Sequence, residues 1–583
     1  MKERLLKLLP VGALAILTGI LFWPTLSFRF LNWDDMPLLT QHPWFHPLTW
    51  RSVLEIWNPL SLWNGTALDY SPVRDVSYAL DYLVFGWNPA EFHFTNWALH
   101  VLNACLAYGL LKAFVRPSFA WLGAALWAWH PLVVEPVAWV SGRKDLLVMA
   151  FSLGSCLLYL REKPKRAWIL AIAALLSKYT AVILAPLVWV LLRERGKKVP
   201  GTNLLSLFGA SLCLGVYVVI ANHHLGALVK HSTLADTASV WPAAFQTFHH
   251  AVQTVLAPLN LSARYVQHPE WGFGRPEVWL GILLCAAWTA AAWAARKRDA
   301  RIRAGVLWIG LTYLPYVASI CAGHPIWMAD RYLYMPLLGA GLIVAALLDS
   351  IPMARSAVWS LGLGVALALG WGAHVRLPVW SDSLTLWQDT VRKSPSLYYV
   401  WSNLGEAQMD AGRLVEARRS FLRASKLNPA QDLSALRLAQ VEVQAGNPDI
   451  ARRILIALEA RKTVFDEETS LRDLGILWAQ LKDEGKGERL LRDYLSRRPH
   501  DPAAWVNLGV LLAATKRDTE ALDAWNRALD LDPEDQAARM NRARYWYFHG
   551  ECLRMNEDLT AAASSTADAL AETGKMKSTC RAR

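Results

Sequence analysis

The chain has 583 residues, a net charge of +12 and a hydrophobic share of 54%. That length calls for more than one domain. Much of the basic excess sits in short loops between apolar runs, where it reads as a topology signal and argues against a nucleic-acid partner. The seven cysteines form no CxxC or Cys/His cluster, so no zinc site is expected; a divalent ion is compatible with the chain but nothing indicates one, and no cofactor is assigned.

Apolar runs of membrane-spanning length dominate residues 1–376. The first span, about 5–26, is led by Lys2, Arg4 and Lys7, which mark its cytoplasmic end. The loop 28–91 is then extracytoplasmic; it is rich in Trp, Tyr and Pro and opens on Asn32-Trp33-Asp34-Asp35. Further spans are expected near 92–111, 119–130 and 146–159. Basic loops flank both ends of 167–192, so this stretch reads as two short helices turning at Lys178. Spans at 204–220, 277–295, 305–322, 333–349 and 357–375 follow, with an interfacial or re-entrant segment at 241–259. The tally of about eleven is odd, which puts the N-terminus inside and everything after the last span outside. In a bacterium this is an inner-membrane protein with its C-terminal half in the periplasm; in a eukaryote, an endoplasmic-reticulum protein with that half in the lumen.

After a linker at 377–397 the periodicity changes. Trp401, Leu404, Gly405, Ala417, Phe421, Ala424 and Pro429 are spaced as in a tetratricopeptide repeat, and Trp505, Leu508, Gly509, Ala521, Trp525, Ala528 and Pro533 repeat the pattern 104 residues later. Leu438, Ala439 and Ala451 fit a second repeat, and Leu474, Gly475, Leu491, Tyr494 and Pro499 a third. About four repeats and a capping helix, 536–548, therefore fill 398–548. The Ala-, Ser- and Thr-rich tail 549–583 is expected to be disordered, although Cys552 and Cys580 are candidates for a disulfide if that side is oxidising. The fold class is all-α: a polytopic membrane domain followed by an α-solenoid. Such solenoids hold extended peptides or other proteins in a concave groove, or serve as passive scaffolds.

Two adjacent acids at a membrane surface are ordinarily helix caps. Acids near membrane level are nonetheless costly and tend to mark function, which makes Asp34 and Asp35 candidate general bases. Other polar groups converge on the same membrane face. His93, Asn96, His100 and Asn103 recur at intervals of 3, 4 and 3 and so form one helical stripe that must face the protein interior. The deeper His100 and Asn103 read as interhelical hydrogen bonders; His93 and Asn96 lie at the outer end, within reach of the acids. His130 and Glu135 precede Arg143 and Lys144, basic residues on the outer side where topology does not ask for them. An anionic ligand explains them; lipid-headgroup contact or pairing with Glu135 and Asp145 does so equally. Lys178, Arg331 and Arg74 are similar cases. Cations for a leaving phosphate and a carboxylate for an attacking hydroxyl are what a phosphate-linked lipid donor requires.

At these residues the chain resembles the transmembrane and tetratricopeptide-repeat O-mannosyltransferases (the TMTC family) and their bacterial relatives, within the C-type (GT-C) glycosyltransferases. The resemblance runs through Asn32-Trp33-Asp34-Asp35, Phe85-Gly86-Trp87-Asn88-Pro89 and the stripe His93–His100. It continues with His130-Pro131 through Glu135, Trp139 through Asp145, and Asp330-Arg331-Tyr332, with repeats behind. It implies inverting transfer of a sugar from a polyprenyl- or dolichyl-phosphate donor to an acceptor hydroxyl outside the membrane. Asp34 or Asp35 is then the base and Arg143 and Arg331 the phosphate contacts. Tyr179 follows Lys178 where relatives often have an acid, and Pro72-Val73-Arg74 departs from the animal order, pointing to the bacterial branch. The implied partners are a lipid-linked sugar donor, a protein or peptide acceptor in the repeat groove, and membrane lipids. The alternative is a non-catalytic membrane scaffold that assembles envelope or secretion complexes through its repeats.

Overall fold

The computed structural model describes residues 2–40, 48–58, 70–224, 237–266, 272–295, 299–321, 328–461, 468–533, 535–562, 573–574 and 576–578. Every regular element among them is helical. The chain divides into two compact units, residues 1–42 with 50–395 and residues 43–49 with 396–583.

In the first unit proline sets many helix starts. Pro72, Pro89, Pro117, Pro164 and Pro336 each sit in the first helical turn, where a missing N–H costs nothing and the fixed φ suits a helix. The expected apolar segments all fall on helices. Four of them, Leu9–Ser27, Pro276–Ala294, Ala300–Cys321 and Arg355–Trp380, are long and apolar enough to cross a membrane, whereas Gly201–Val216 and Pro336–Ser350 are shorter. The count of about eleven is larger than this because several helices are short or carry buried polar side chains, as Pro89–Leu111 does. Residues 167–192 do break at Lys178, which is extended between the helix Pro164–Ser177 and a 3-10 turn Tyr179–Ile183. Of the segment 241–259, residues 241–256 lie in one helix, Thr237–Leu256, packed on Pro276–Ala295, and 257–259 turn out of it. Close helix packing is set by glycine: a Cβ on Gly123 would stand 2.8 Å from the Gly341 carbonyl oxygen, and one on Gly305 2.8 Å from that of Gly339.

Two expectations change. The stretch 377–397 is not a bare linker: Leu377–Trp380 and Ser383–Lys393 are helical, with Trp380, Leu386 and Trp387 fully buried in the first unit. Their apolar faces need a core, and a free linker would leave them in water. The tail 549–583 is likewise ordered in part. Cys552–Ala561 is a helix that packs on Gln536–Phe548 and buries Met555 and Leu559.

The second unit is a stack of helix pairs whose first helices begin at residues 398, 432, 468, 502 and 536. Four pairs were legible as repeats; the fifth is formed by the expected capping helix and Cys552–Ala561. Gly405 and Gly509 let the rings of Phe421 and Trp525 lie directly on the neighbouring backbone. Each turn between paired helices has one residue at positive φ: Gly412, Gly446, Lys482, Lys516 and Gly550. Glycine adopts that left-handed turn without steric penalty, and two lysines accept it. Cys552 is disulfide-bonded; Cys580 lies outside the described residues.

Candidate functional site

The stretch that begins with Asn32 leaves the first helix through a 3-10 turn, Trp23–Ser27, and is stitched to the segment that precedes the repeats. The Arg29 N–H donates to the Ser381 carbonyl (2.9 Å) and the Asn32 N–H to Ser383 Oγ (2.8 Å). The Trp387 indole N–H donates to Asn32 Oδ1 (2.6 Å). Trp33 stacks on Trp139 with ring centroids 4.5 Å apart and meets Trp387 edge-on at 5.4 Å, with Trp380 at 6.5 Å. The Arg264 guanidinium lies 5.0 Å above the Trp33 ring. Trp380, Trp387, Ser383 and Arg264 were not singled out from sequence. Lone aromatic and polar residues in connecting segments carry no periodicity, so only their proximity in the fold exposes them.

The two acids differ sharply. Asp35 is fully buried, and its carboxylate accepts from the Ser141 N–H (3.0 Å), Ser141 Oγ (2.5 Å) and the Leu31 N–H (3.0 Å). Burial nonetheless lifts its pKa from 3.8 to about 6, against the lowering effect of those hydrogen bonds. Asp34 is half-buried.

Most of the expected cations have internal partners. Arg143 is fully buried: it pairs with Asp81 (2.6 Å) and donates to Asn96 Oδ1 (2.9 Å), the Phe92 carbonyl (2.8 Å) and Ser77 (3.3 Å), with its guanidinium over the Tyr78 ring. It is therefore a strut between the helices Pro72–Phe85 and Pro89–Leu111, whereas the sequence reading makes it a phosphate contact. Arg74 is fully buried as well and pairs with Asp75 at 2.8 Å. Lys178 donates to Asp145 (2.5 Å) and Tyr316 (3.2 Å). Arg331 forms an ion pair with Glu135, its backbone N–H donates to the same carboxylate at 3.0 Å, and its guanidinium lies 5.2 Å from the Trp139 ring. It thus borders the Trp33 cage. Lys144 is partly exposed.

The helical stripe is interhelical adhesive at Asn96, His100 and Asn103. Asn96 donates to the Trp139 carbonyl (2.9 Å), His100 meets Tyr334 Oη (2.9 Å) and the Ala128 carbonyl, and Asn103 donates to the Leu146 carbonyl. His93 packs edge-on against Phe28. His130 caps its own turn through the Leu132 N–H and contacts the Val255 carbonyl at 3.1 Å. Asn96 is thus held from both sides, by the Trp139 carbonyl and Arg143.

A second group closes the site. Asp330 accepts from Tyr265 Oη (2.5 Å), and burial beside Glu135 raises its pKa to about 7. Arg376 pairs with Asp389 (2.5 Å), yet its Nε and Nη2 are buried with no hydrogen-bond partner among the described residues. No group of three or more His, Cys, Asp or Glu side chains suited to a metal ion occurs among the described residues.

Fold and site together define a helical membrane protein that joins a tetratricopeptide array to a membrane domain with a buried acidic and cationic centre. A tetratricopeptide-repeat family model matches residues 485–536. Over most of its length the chain is similar to TMTC protein O-mannosyl-transferases. It is 21% identical to human protein O-mannosyl-transferase TMTC3, over 92% of this chain and 65% of that protein. It is 22% identical to the protein O-mannosyl-transferase F38B6.6 of Caenorhabditis elegans, over 68% of this chain and 60% of that protein. The chain thus spans less than two thirds of the length of these curated relatives. Among solved structures, the crystal structure of MamA is 15% identical and covers 30% of this chain and 97% of its own, with a TM-score of 0.23.

Proposed function

We propose that this chain is a membrane glycosyltransferase that moves mannose or another hexose from a polyprenyl-phosphate donor to a hydroxyl of an extracytoplasmic protein, with inversion. The difference in burial between the two acids, Asp35 fully enclosed and Asp34 half-buried, carries this reading. Asp35 spends its oxygens on Ser141 and Leu31, so it is a positioning residue that fixes the turn. Half-buried Asp34 is the base. Its carboxylate takes the proton of the acceptor hydroxyl as that oxygen bonds to the anomeric carbon; the bond from that carbon to the phosphate oxygen breaks, and the lipid phosphate leaves with the electron pair. With Arg143 and Arg74 consumed by internal pairs, the phosphate falls to Arg264, which lies over the Trp33 ring, and to Arg376, whose Nε and Nη2 lack partners among the described residues; Arg331, paired with Glu135, braces the same surroundings. Such preorganised donors act where charge develops. Lys144 is a peripheral contact.

The repeats hold the acceptor outside the membrane, in a bacterial periplasm. The disulfide at Cys552 supports an oxidising compartment for them, and the similarity to O-mannosyl-transferases supports the reaction class. The scaffold reading keeps one observation in its favour, the enclosure of Arg74 and Arg143. Transfer from a radiolabelled polyprenyl-phosphate hexose to envelope proteins separates the two. Asp34→Asn is expected to lower the rate at least about a hundredfold, in the range typical for losing a general base, with insertion and folding unchanged. Wild-type rates in that variant would favour the scaffold.

A further inference from the structure

A second polar recess lies at the opposite end of the membrane helices from Asp34. A cavity of about 250 Å³ opens where the helices Pro117–Ala128 and Arg355–Arg376 begin and Pro336–Ser350 ends, lined among others by Arg116, Arg355, Asp349, Ile351 and Met353. Arg355 and Arg376 are the first and last residues of one 22-residue helix, about 33 Å long at 1.5 Å per residue. That is about the thickness of a bilayer's hydrocarbon core. Arg376 stands beside the candidate site, so this cavity belongs to the other membrane face.

Its chemistry is two-sided. The Asp349 side chain is 5% exposed, and its Oδ2 accepts from Arg301 at 2.8 Å. Its Oδ1 is buried without a hydrogen-bond partner among the described residues; Arg116 Nε stands 3.4 Å away, within ion-pair range but not hydrogen-bonded. A buried acceptor in this state needs a donor. Arg116 and Arg355, both exposed, offer guanidinium donors to an anion, and the starts of two helices add positive partial charge. Ile351 and Met353, 39% and 65% exposed, give the rim an apolar edge. An anion, a hydrogen-bonding cation and an apolar tail within one small volume describe a single class of membrane molecule.

We propose that this cavity binds the headgroup of an ethanolamine phospholipid. The phosphodiester meets Arg116 and Arg355, the ammonium donates to Asp349 Oδ1, and the acyl chains run past Ile351 and Met353. A glycerol headgroup lacks the cation that Asp349 attracts, and a choline headgroup lacks the N–H.

The test reconstitutes the full-length protein in nanodiscs of phosphatidylethanolamine, phosphatidylglycerol and phosphatidylcholine in equal parts, then reads retained lipid by native mass spectrometry. Phosphatidylethanolamine is expected to be retained about tenfold over either competitor, the ratio that corresponds to about 1.4 kcal/mol. Arg116→Ala with Arg355→Ala should abolish retention, and Asp349→Asn should remove the preference for ethanolamine. Because Asp349 also receives Arg301, Arg355→Ala alone, at an exposed position, guards against a folding defect and should lower retention severalfold. Equal retention of the three lipids by the wild type, or retention unchanged in the arginine variants, overturns the proposal. Displacement of the lipid by soluble glycerophosphoethanolamine at equal concentration would make the ligand a free phosphodiester and overturn the lipid assignment.

Discussion

The ion pairs Arg143–Asp81, Lys178–Asp145 and Arg331–Glu135 of the membrane unit expose 10% or less of either side chain, whereas Arg413–Glu416 and Arg492–Glu520 of the repeats leave about half of each in water. In the repeats, shape is set by small residues under rings, and charge decorates the surface, where screening makes a pair worth about 0–1 kcal/mol. In the interior of the membrane unit a charge is cut off from water, so an unmatched one is costly and buried charges become framework. The same residue type therefore carries opposite information in the two halves. A buried arginine there is first a strut, and only one with unsatisfied N–H groups, as in Arg376, is a candidate to receive a ligand.

Several experiments break or sharpen this contrast. The largest effect is expected from Arg143→Ala, which strands Asp81 in a buried setting and should destabilise the membrane unit by about 3–5 kcal/mol. Thermal melting in detergent measures it, and replacing Asp81 with leucine in the same variant should recover much of the loss. A melt unchanged in the single variant would remove the strut role. Next comes Gly509→Ala, whose Cβ would collide with the Trp525 ring. Overpacking of this kind costs about 1–3 kcal/mol, visible as faster hydrogen exchange confined to 502–531.

Of similar size is a pH effect at Asp35. Its folded pKa of about 6 lies above the ordinary 3.8, so the folded state holds the proton more tightly than the unfolded state. Stability from this group is full below about pH 4, declines as pH rises toward 6, and is level above it. Asp35→Asn should flatten a melting-temperature series across that window. At the bottom of the scale, Arg413→Ala should leave the melt unchanged; a clear loss would mean that the surface pairs of the repeats also bear load.

The repeats were legible almost residue by residue, because a fixed period ties each small and aromatic position to a packing role. Asn32-Trp33-Asp34-Asp35 was legible too, because adjacent acids at the end of an apolar run are chemically conspicuous. Arg143 was conspicuous for the same reason and misleading for it: basic residues outside the membrane suggest an anion, while their buried partners, Asp81 and Asn96, are distant in sequence. Trp387 and Arg264 gave no signal at all, since a lone side chain in a connecting segment gains meaning only from what it touches. Cys552–Ala561 was hidden by composition, as Ala, Ser and Thr downstream masked a short helix whose Met555 and Leu559 find a partner surface.

The hydrogen bonds from Asn32 and Arg29 to 381–387 bear on how this molecule is cut and recombined. A truncation ending at Arg376 looks natural on a hydropathy plot, yet it strips two walls from the tryptophan cage and the acceptors that hold the acidic turn. Chimeras that exchange repeat arrays between relatives place their seam after Pro395, and a membrane fragment prepared for biochemistry keeps the helix Ser383–Lys393 as part of its own body.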